Sequence, residues 1–363
     1  MRSLTLSVLT ISLLAASVAA AAPTSISVYG AWHCGGDFCT WAGVRDMVDF
    51  DKKNRWLIDR GDGKPSVNLV VLSFVHPLRL LNKTNDSQTV NGIPRGMTKQ
   101  VVEYFTSHGI RVMLSIGGIT YVDAWNQALA TDLTAKTLAL NAAQAASDLG
   151  VGIEIDYEES SKPRLDQLQT FIKTYREVHP VDVTDSDGRN PAARLTIDLA
   201  AGDRWLIALT QRATSQWLLP DSVMLDYANA MVPSRQPTAS GAIASWQEHI
   251  DGKPQYAPPI PPLAPAKFTG SLYIVTGNKP APECVDFSRS LQKSTASFVQ
   301  NVAPNPAEPG ATSGMLGYMF WAAECQGTRS LCTTPPTNTC QGGVGVGATT
   351  YNIPIPMPVL RQW

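Results

Sequence analysis

Eight short runs rich in apolar and β-branched residues recur along this chain, separated by longer stretches of helical periodicity, and few architectures accommodate that rhythm. The runs are Ile26 to Tyr29, Asn68 to Val75, Arg111 to Ile116, Gly152 to Tyr157, Arg194 to Ala200, Tyr227 to Val232, Ser271 to Thr276 and Leu316 to Trp321. Several are continuously apolar rather than alternating, as strands buried on both faces should be. Between them, Met97 to Ser107 ends near Gly109, a residue suited to a left-handed helix cap. Val122 to Leu149, Leu165 to Val178, Trp205 to Trp217 and Asp286 to Val302 are the other helical candidates. Strand alternating with helix predicts βαβ units around a parallel sheet, and the set predicts an α/β fold, a single (β/α)8 TIM-type barrel with long loops. Within it, Gln236 to Lys267 carries Pro258, Pro259, Pro261, Pro262 and Pro265 and is expected as a long loop. Thr333 to Trp363, rich in Pro, Gly and Thr, is expected as an extended tail.

The strongest chemical signal is Gly152-Ile153-Glu154-Ile155-Asp156-Tyr157-Glu158, where acids occupy every second position. Strand side chains alternate faces, so Glu154, Asp156 and Glu158 share one wall while Ile153, Ile155 and Tyr157 take the other. A solvated acidic face is the plain alternative for such a pattern. A strand lying between two long helical segments, however, has no water-facing side. Inside a closed barrel the three carboxyls cannot all ionise cheaply, so at least one must hold its proton to higher pH and their titrations must couple. Glu158 stands at the carboxyl end of its strand, where barrel active sites are built, and is the best placed proton donor. Asp198, in Ile197-Asp198-Leu199, is an odd acid in an apolar strand that either joins this cluster or binds a buried donor.

The first residues have the form of a secretory signal peptide: Arg2, an apolar run from Leu4 to about Val18, and small residues to a cleavage point near Ala22. A membrane anchor is the competing reading, but the run is short of the ~20 residues a bilayer span needs. Residues 1–22 are therefore expected to be removed, leaving a secreted chain of residues 23–363 with no membrane association. The 29 basic and 30 acidic residues nearly cancel and form no long block of one sign, which argues against nucleic acid and for a neutral partner. Six cysteines, Cys34, Cys39, Cys284, Cys325, Cys332 and Cys340, make an even set that favours disulfides in an exported chain. Proximity pairs Cys34 with Cys39, Cys325 with Cys332 and Cys284 with Cys340, one of fifteen possible arrangements. A zinc site would need paired C-x-x-C motifs or nearby histidines, which are missing, so neither metal nor cofactor is expected. Asn82-Lys83-Thr84 and Asn85-Asp86-Ser87 are N-glycan acceptor sequons in a polar stretch.

The acidic strand resembles glycoside hydrolase family 18, the chitinase family, whose fourth strand carries D-G-x-D-x-D-x-E. Here it reads Val151-Gly152-Ile153-Glu154-Ile155-Asp156-Tyr157-Glu158. Ser115-Ile116-Gly117-Gly118 matches the family's S-x-G-G on the third strand, in the correct order and spacing. Tyr29-Gly30-Ala31-Trp32 is similar to the family's first strand, Ser73-Phe74 to its second and Gly317-Tyr318-Met319-Phe320-Trp321 to its eighth, so the resemblance spans most of the chain. It implies that Glu158 protonates the glycosidic oxygen while the substrate's own acetamido oxygen attacks the anomeric carbon. The family is thus an exception to the two-carboxylate scheme of retaining glycosidases. Asp156 would support the acetamido group, and Glu154 stands where the family has Asp. Trp321 would form the floor beneath the sugar, with Tyr29, Gly118 and Met231 as further sugar-binding positions. One departure is serious. The family's M-x-Y-D on the sixth strand is answered by Met231-Val232-Pro233-Ser234, without its Tyr and Asp.

The implied substrate is an N-acetylglucosamine-containing polysaccharide or oligosaccharide, with chitin first and the chitobiose core of N-glycans second. A non-catalytic lectin on the same barrel is the reading from another class, favoured by Val232-Pro233-Ser234 and opposed by the retained Glu158. The chain is expected to act as a monomer.

Overall fold

The computed structural model describes residues 27–34, 46–59, 63, 65, 67–182, 189–202, 205–219, 222, 224–231, 239–273, 275–276, 279–280, 295–307 and 311–321. Eight parallel strands within them close into a barrel: β1 Val28–Cys34, β2 Leu69–Val75, β3 Arg111–Gly117, β4 Gly152–Asp156, β5 Leu195–Leu199, β6 Ala228–Ala230, β7 Phe268–Tyr273 and β8 Gly317–Trp321. Each pairs with its neighbours in sequence, and β8 returns to β1 with Val28 opposite Gly317 and Ala31 opposite Phe320. Each of the eight runs read from the sequence overlaps a strand of this barrel, although Ser271 to Thr276 catches only the second half of β7 and extends to Val275–Thr276, which pair in a separate two-stranded sheet. β1 is longer than the run that predicted it, because Gly30, Trp32 and His33 interrupt the apolar pattern while continuing the pairing with β2.

Alternation along the strands sorts two cores. Val28, Trp32, Leu69, Val71, Met113 and Met319 belong to a cluster made of strand residues, the inside of the barrel. Tyr29, Val70, Leu114, Ile153, Ile197 and Phe320 belong to the larger cluster shared with the helices. The α-helices of six or more residues are α1 Met47–Ile58, α2 Lys99–Thr106, α3 Val122–Ala128, α4 Asp132–Leu149, α5 Leu165–Val178, α6 Ile207–Arg212, α7 Ala239–Asp251 and α8 Thr295–Asn301. The segment Val122 to Leu149 splits into α3 and α4 because Thr131 caps a new helix, its hydroxyl accepting from the Thr134 backbone N–H at 3.2 Å. The stretch Trp205 to Trp217 is helical only from Ile207 and loosens into a π turn over Ala213–Trp217. α1 went unread in the sequence because its many charges mask the stripe of Phe50, Leu57 and Ile58 that it buries.

One expectation is corrected outright: α7 occupies Ala239–Asp251, inside the stretch Gln236 to Lys267 read as loop. The prolines from Pro254 to Pro265 all follow the helix, so averaging them over the whole stretch hid thirteen residues that contain none. Trp246 of α7 is fully buried against β7, where a Cβ on Gly270 would come within 2.4 Å of its ring. The expected signal peptide at 1–22, the expected tail at 333–363, Val232 to Ser234 and Cys39, Cys284, Cys325, Cys332 and Cys340 lie outside the described residues. Cys34 ends β1, and its side chain is likewise not described. Asn82 and Asn85 are exposed. Among the described residues no helix is long and apolar enough to cross a membrane.

Candidate active site

β4 carries the three acids in a graded environment. Glu154 is 0 % exposed, Asp156 4 % and Glu158 9 %, so the barrel opens toward Glu158. Glu154 accepts from Trp32 Nε1 of β1 at 2.8 Å and from Asn229 Nδ2 of β6 at 2.6 Å. Burial pushes its carboxyl up to about 7 against these donors. Asp156 is raised well above the usual carboxylate range, by burial first and then by the charges of Glu158 and Glu154. Its Oδ1 is buried without a hydrogen-bond partner among the described residues. Glu158 is pushed up to about 7 by burial, opposed by the Ile119 backbone N–H and by Asp156.

The Ser115-Ile116-Gly117-Gly118 motif explains how that N–H reaches Glu158. Gly117 and Gly118 take φ of 123° and 95°, conformations open to glycine. They let Gly118 N donate to Asp156 O at 3.0 Å, locking the end of β3 onto the end of β4. Trp125 of α3 covers the junction, Nε1 donating to Asp156 O at 3.0 Å and Ile116 O at 3.2 Å. A Cβ on Gly117 would fall 1.8 Å from the Asp156 carbonyl oxygen, so the motif is a close approach between two backbones.

The loop after Glu158 is tied down as firmly. Glu159 accepts from Ser161 N at 2.6 Å, Ser161 Oγ at 2.7 Å, Lys162 N at 3.2 Å and Asn126 Nδ2 at 2.8 Å. Those donors, the Ser161 hydroxyl foremost, hold its carboxyl down to about 2. Asn126 in turn accepts from Tyr157 OH at 2.5 Å, so α3 fixes the segments on both sides of Glu158.

An aromatic wall flanks the acids. Trp321 at the end of β8 stacks on Phe74 with centroids 5.7 Å apart and meets Trp32 edge-on at 6.2 Å. The Phe74 ring also lies beneath Gly118, within 3.2 Å of where its Cβ would be. Trp321 and Gly118 are therefore both placed at this wall. Tyr29 is not: it packs outside the barrel against Tyr318 and Phe320, at 5.9 Å and 4.9 Å, because a residue three positions from the inward Trp32 must face the other way. Met231 follows β6, half-buried, with its backbone N–H on Leu199 O at 2.8 Å and its side chain against the helix-side core. Asp198 does join the carboxyl cluster, accepting from Asn229 Nδ2 at 3.1 Å. None of Trp32, Phe74, Asn229, Asn126 and Glu159 is given a site role by the sequence, although Trp32 and Phe74 lie in the strand motifs quoted above. For Trp32 the signal was present, since counting by twos along β1 from Val28 reaches it.

A chitinase from Bacteroides thetaiotaomicron superimposes on this chain with a TM-score of 0.51 at 12% identity, covering 89% of this chain and 96% of that one. A GH18 chitinase from Pseudoalteromonas aurantia does so with a TM-score of 0.50 at 14% identity, covering 81% and 93%. The likeness is one of fold. No family model matches the chain, and no curated protein matches it. The fold is thus that of chitinase-type glycoside hydrolases, and the chemistry must be argued from this chain's own residues. Among the described residues no group of three or more His, Cys, Asp or Glu is arranged to hold a metal ion.

Proposed function

We propose that this protein is a secreted glycoside hydrolase that cleaves β-1,4 links of N-acetylglucosamine glycans with retention, using the substrate's acetamido group as nucleophile. The observation that carries the reading is the pairing of Glu158, half-way protonated near neutral pH, with the buried and unpartnered Oδ1 of Asp156 beside an aromatic wall. Trp321 offers an apolar face to the C–H surface of a pyranose ring. Asp156 accepts the acetamido N–H, which turns the acetamido oxygen toward the anomeric carbon. As that oxygen attacks, Glu158 passes its proton to the leaving glycosidic oxygen. The resulting oxazolinium cation sits against the carboxyl of Asp156, whose Oδ1 keeps accepting the acetamido N–H as positive charge develops there. Glu158, now anionic, takes a proton from water as the water opens the ring, which restores the starting state with retained configuration.

Incubating the purified protein with chitotetraose, and separately with a high-mannose glycopeptide, tests the reading by mass spectrometry of the products. Cleavage of chitotetraose supports the chitinase reading, and cleavage of the glycopeptide alone moves the substrate to the N-glycan core. Binding of chito-oligosaccharides with cleavage of neither would make the protein a lectin on the same barrel, the reading that the sequence Val232-Pro233-Ser234 favours.

A further inference from the structure

Beneath Asp156 the barrel holds a second carboxyl pair that the mechanism above does not use. Glu154 on β4 and Asp198 on β5 are 0 % and 2 % exposed, and a single amide, Asn229 Nδ2, donates to both, at 2.6 Å and 3.1 Å. Thr269 of β7 sets that amide by donating its hydroxyl to Asn229 Oδ1 at 2.7 Å, which leaves the NH₂ group facing the acids. Glu154 thus receives a fixed N–H on each oxygen, from Trp32 and from Asn229. Neither donor can accept a proton, and both favour the anion on Glu154. Asp198 has one of these donors, shared and at the longer distance. Asp156 makes its carboxyl contact with Glu158, whereas the side-chain partners of Glu154 are Trp32, Ser115, Asp198 and Asn229.

We propose that Asp198 is a positioning residue acting through Glu154: it holds the proton of the lower pair, donates it to Glu154, and so leaves Asp156 to give its own hydrogen bond to Glu158. Two buried anions in contact are disfavoured, so the pair keeps one proton, and the asymmetry of the donors places it on Asp198. The other charged groups around the pair agree with one remaining anion. Asp156 lies toward the mouth on β4. Tyr227, just before β6, lies toward the amino end, with Arg194 just before β5, Asp226 and Arg111 of β3 close enough to act on it. β1, β7 and β8 present Trp32, Thr269 and Met319, which carry no charge. The lower pair is joined by Asn229 and reaches Asp156 through the charge of Glu154.

The kinetic consequence rests on the hydrolase reading, but the position of the proton does not, and the test separates them. Difference infrared spectra of the purified protein at pH 7, parent against Asp198→Asn, should show the loss of one protonated-carboxyl C=O band. Loss of a carboxylate band instead would overturn the proposal whether or not the protein cleaves anything. On chitotetraose, Asp198→Asn keeps a neutral donor of the same shape and should hold kcat and the basic limb of its pH profile within about threefold of the parent. Asp198→Leu removes the donor, frees Glu154 to compete for the Asp156 proton, and should lower kcat roughly tenfold with KM little changed. If the Asn variant loses as much kcat as the Leu variant, Asp198 acts as an anion and the proposal falls. A parent that cleaves neither glycan sinks the hydrolase reading alone, since the infrared arm still decides where the proton sits.

Discussion

The proton on Glu158 sets what this site does as pH changes. Its carboxyl is pushed up to about 7, so the donor form dominates below neutrality and is lost above it. Turnover of chitotetraose should accordingly fall as pH rises through about 7, as a pH series of kcat/KM will show. Glu158→Gln preserves shape but carries no transferable proton, and should cost about 10²–10⁴ in rate or more at unchanged fold. A variant that turns over at the parental rate would remove Glu158 from the mechanism. Asp156 offers a separate test. A thiazoline mimic of the oxazolinium intermediate should bind more tightly than N-acetylglucosamine, and the advantage should vanish in Asp156→Ala. Calorimetry that finds equal, weak binding of both ligands in the parent would instead describe a sugar-binding wall without catalysis.

Among the elements, the β3–β4 junction controls the geometry of the acids. Glycine is required at 117 for two reasons that add: a positive φ and a Cβ that would sit 1.8 Å from the Asp156 carbonyl oxygen. Gly150, the left-handed cap of α4 at φ 72°, has nothing within 4 Å of its Cβ position. Gly117→Ala should therefore cost on the order of 3 kcal/mol or more, from strain plus overpacking. Gly150→Ala should cost only about 1 kcal/mol, the conformational part. Urea unfolding of the two variants measures the difference, and equal costs would mean that the backbone approach is not the constraint. A smaller stabilising element sits at the amino end, where buried Arg176 of α5 bonds Asp226 at 3.1 Å and the same carboxylate accepts from Leu195 N at 2.6 Å.

For the molecule as a whole, the acidic interior makes stability depend on pH in an unusual direction. Glu154 and Glu158 are pushed up to about 7 from an ordinary 4.5, and Asp156 and Asp198 are raised as well. The folded chain thus keeps protons that the unfolded chain releases. Their contribution is complete below the unfolded value and drains away as pH climbs toward the folded one. Calorimetry between pH 4.5 and 8 should show Tm falling with rising pH, by roughly 2 °C for each kcal/mol lost. A midpoint that rises over this interval would contradict the buried-acid picture. Glu159, held down to about 2, acts the other way, but only below the carboxylate range, and its partial exposure weakens it.

The sequence alone was enough for the eight strands and for the side of β4 on which the acids lie, because both follow from short-range periodicity: two for a strand, and a continuous apolar run for one buried on both faces. Locally encoded α5 was read at its true bounds, Leu165–Val178. The same local reading failed where neighbours in space decide. Tyr29 looks like a sugar contact in the linear motif and is a core residue in the barrel, because only the closed sheet tells which face of β1 is inside. α7 was hidden by prolines that lie beyond its end. Asn229 and Thr269 gave no chemical signal in the chain, being an amide and a hydroxyl on two separate strands. Closure of the barrel brings them to the carboxyls, and with them the choice of which acid keeps its proton. That choice depends on burial and on donors from β1, β6 and β7, distances that no spacing within β4 contains.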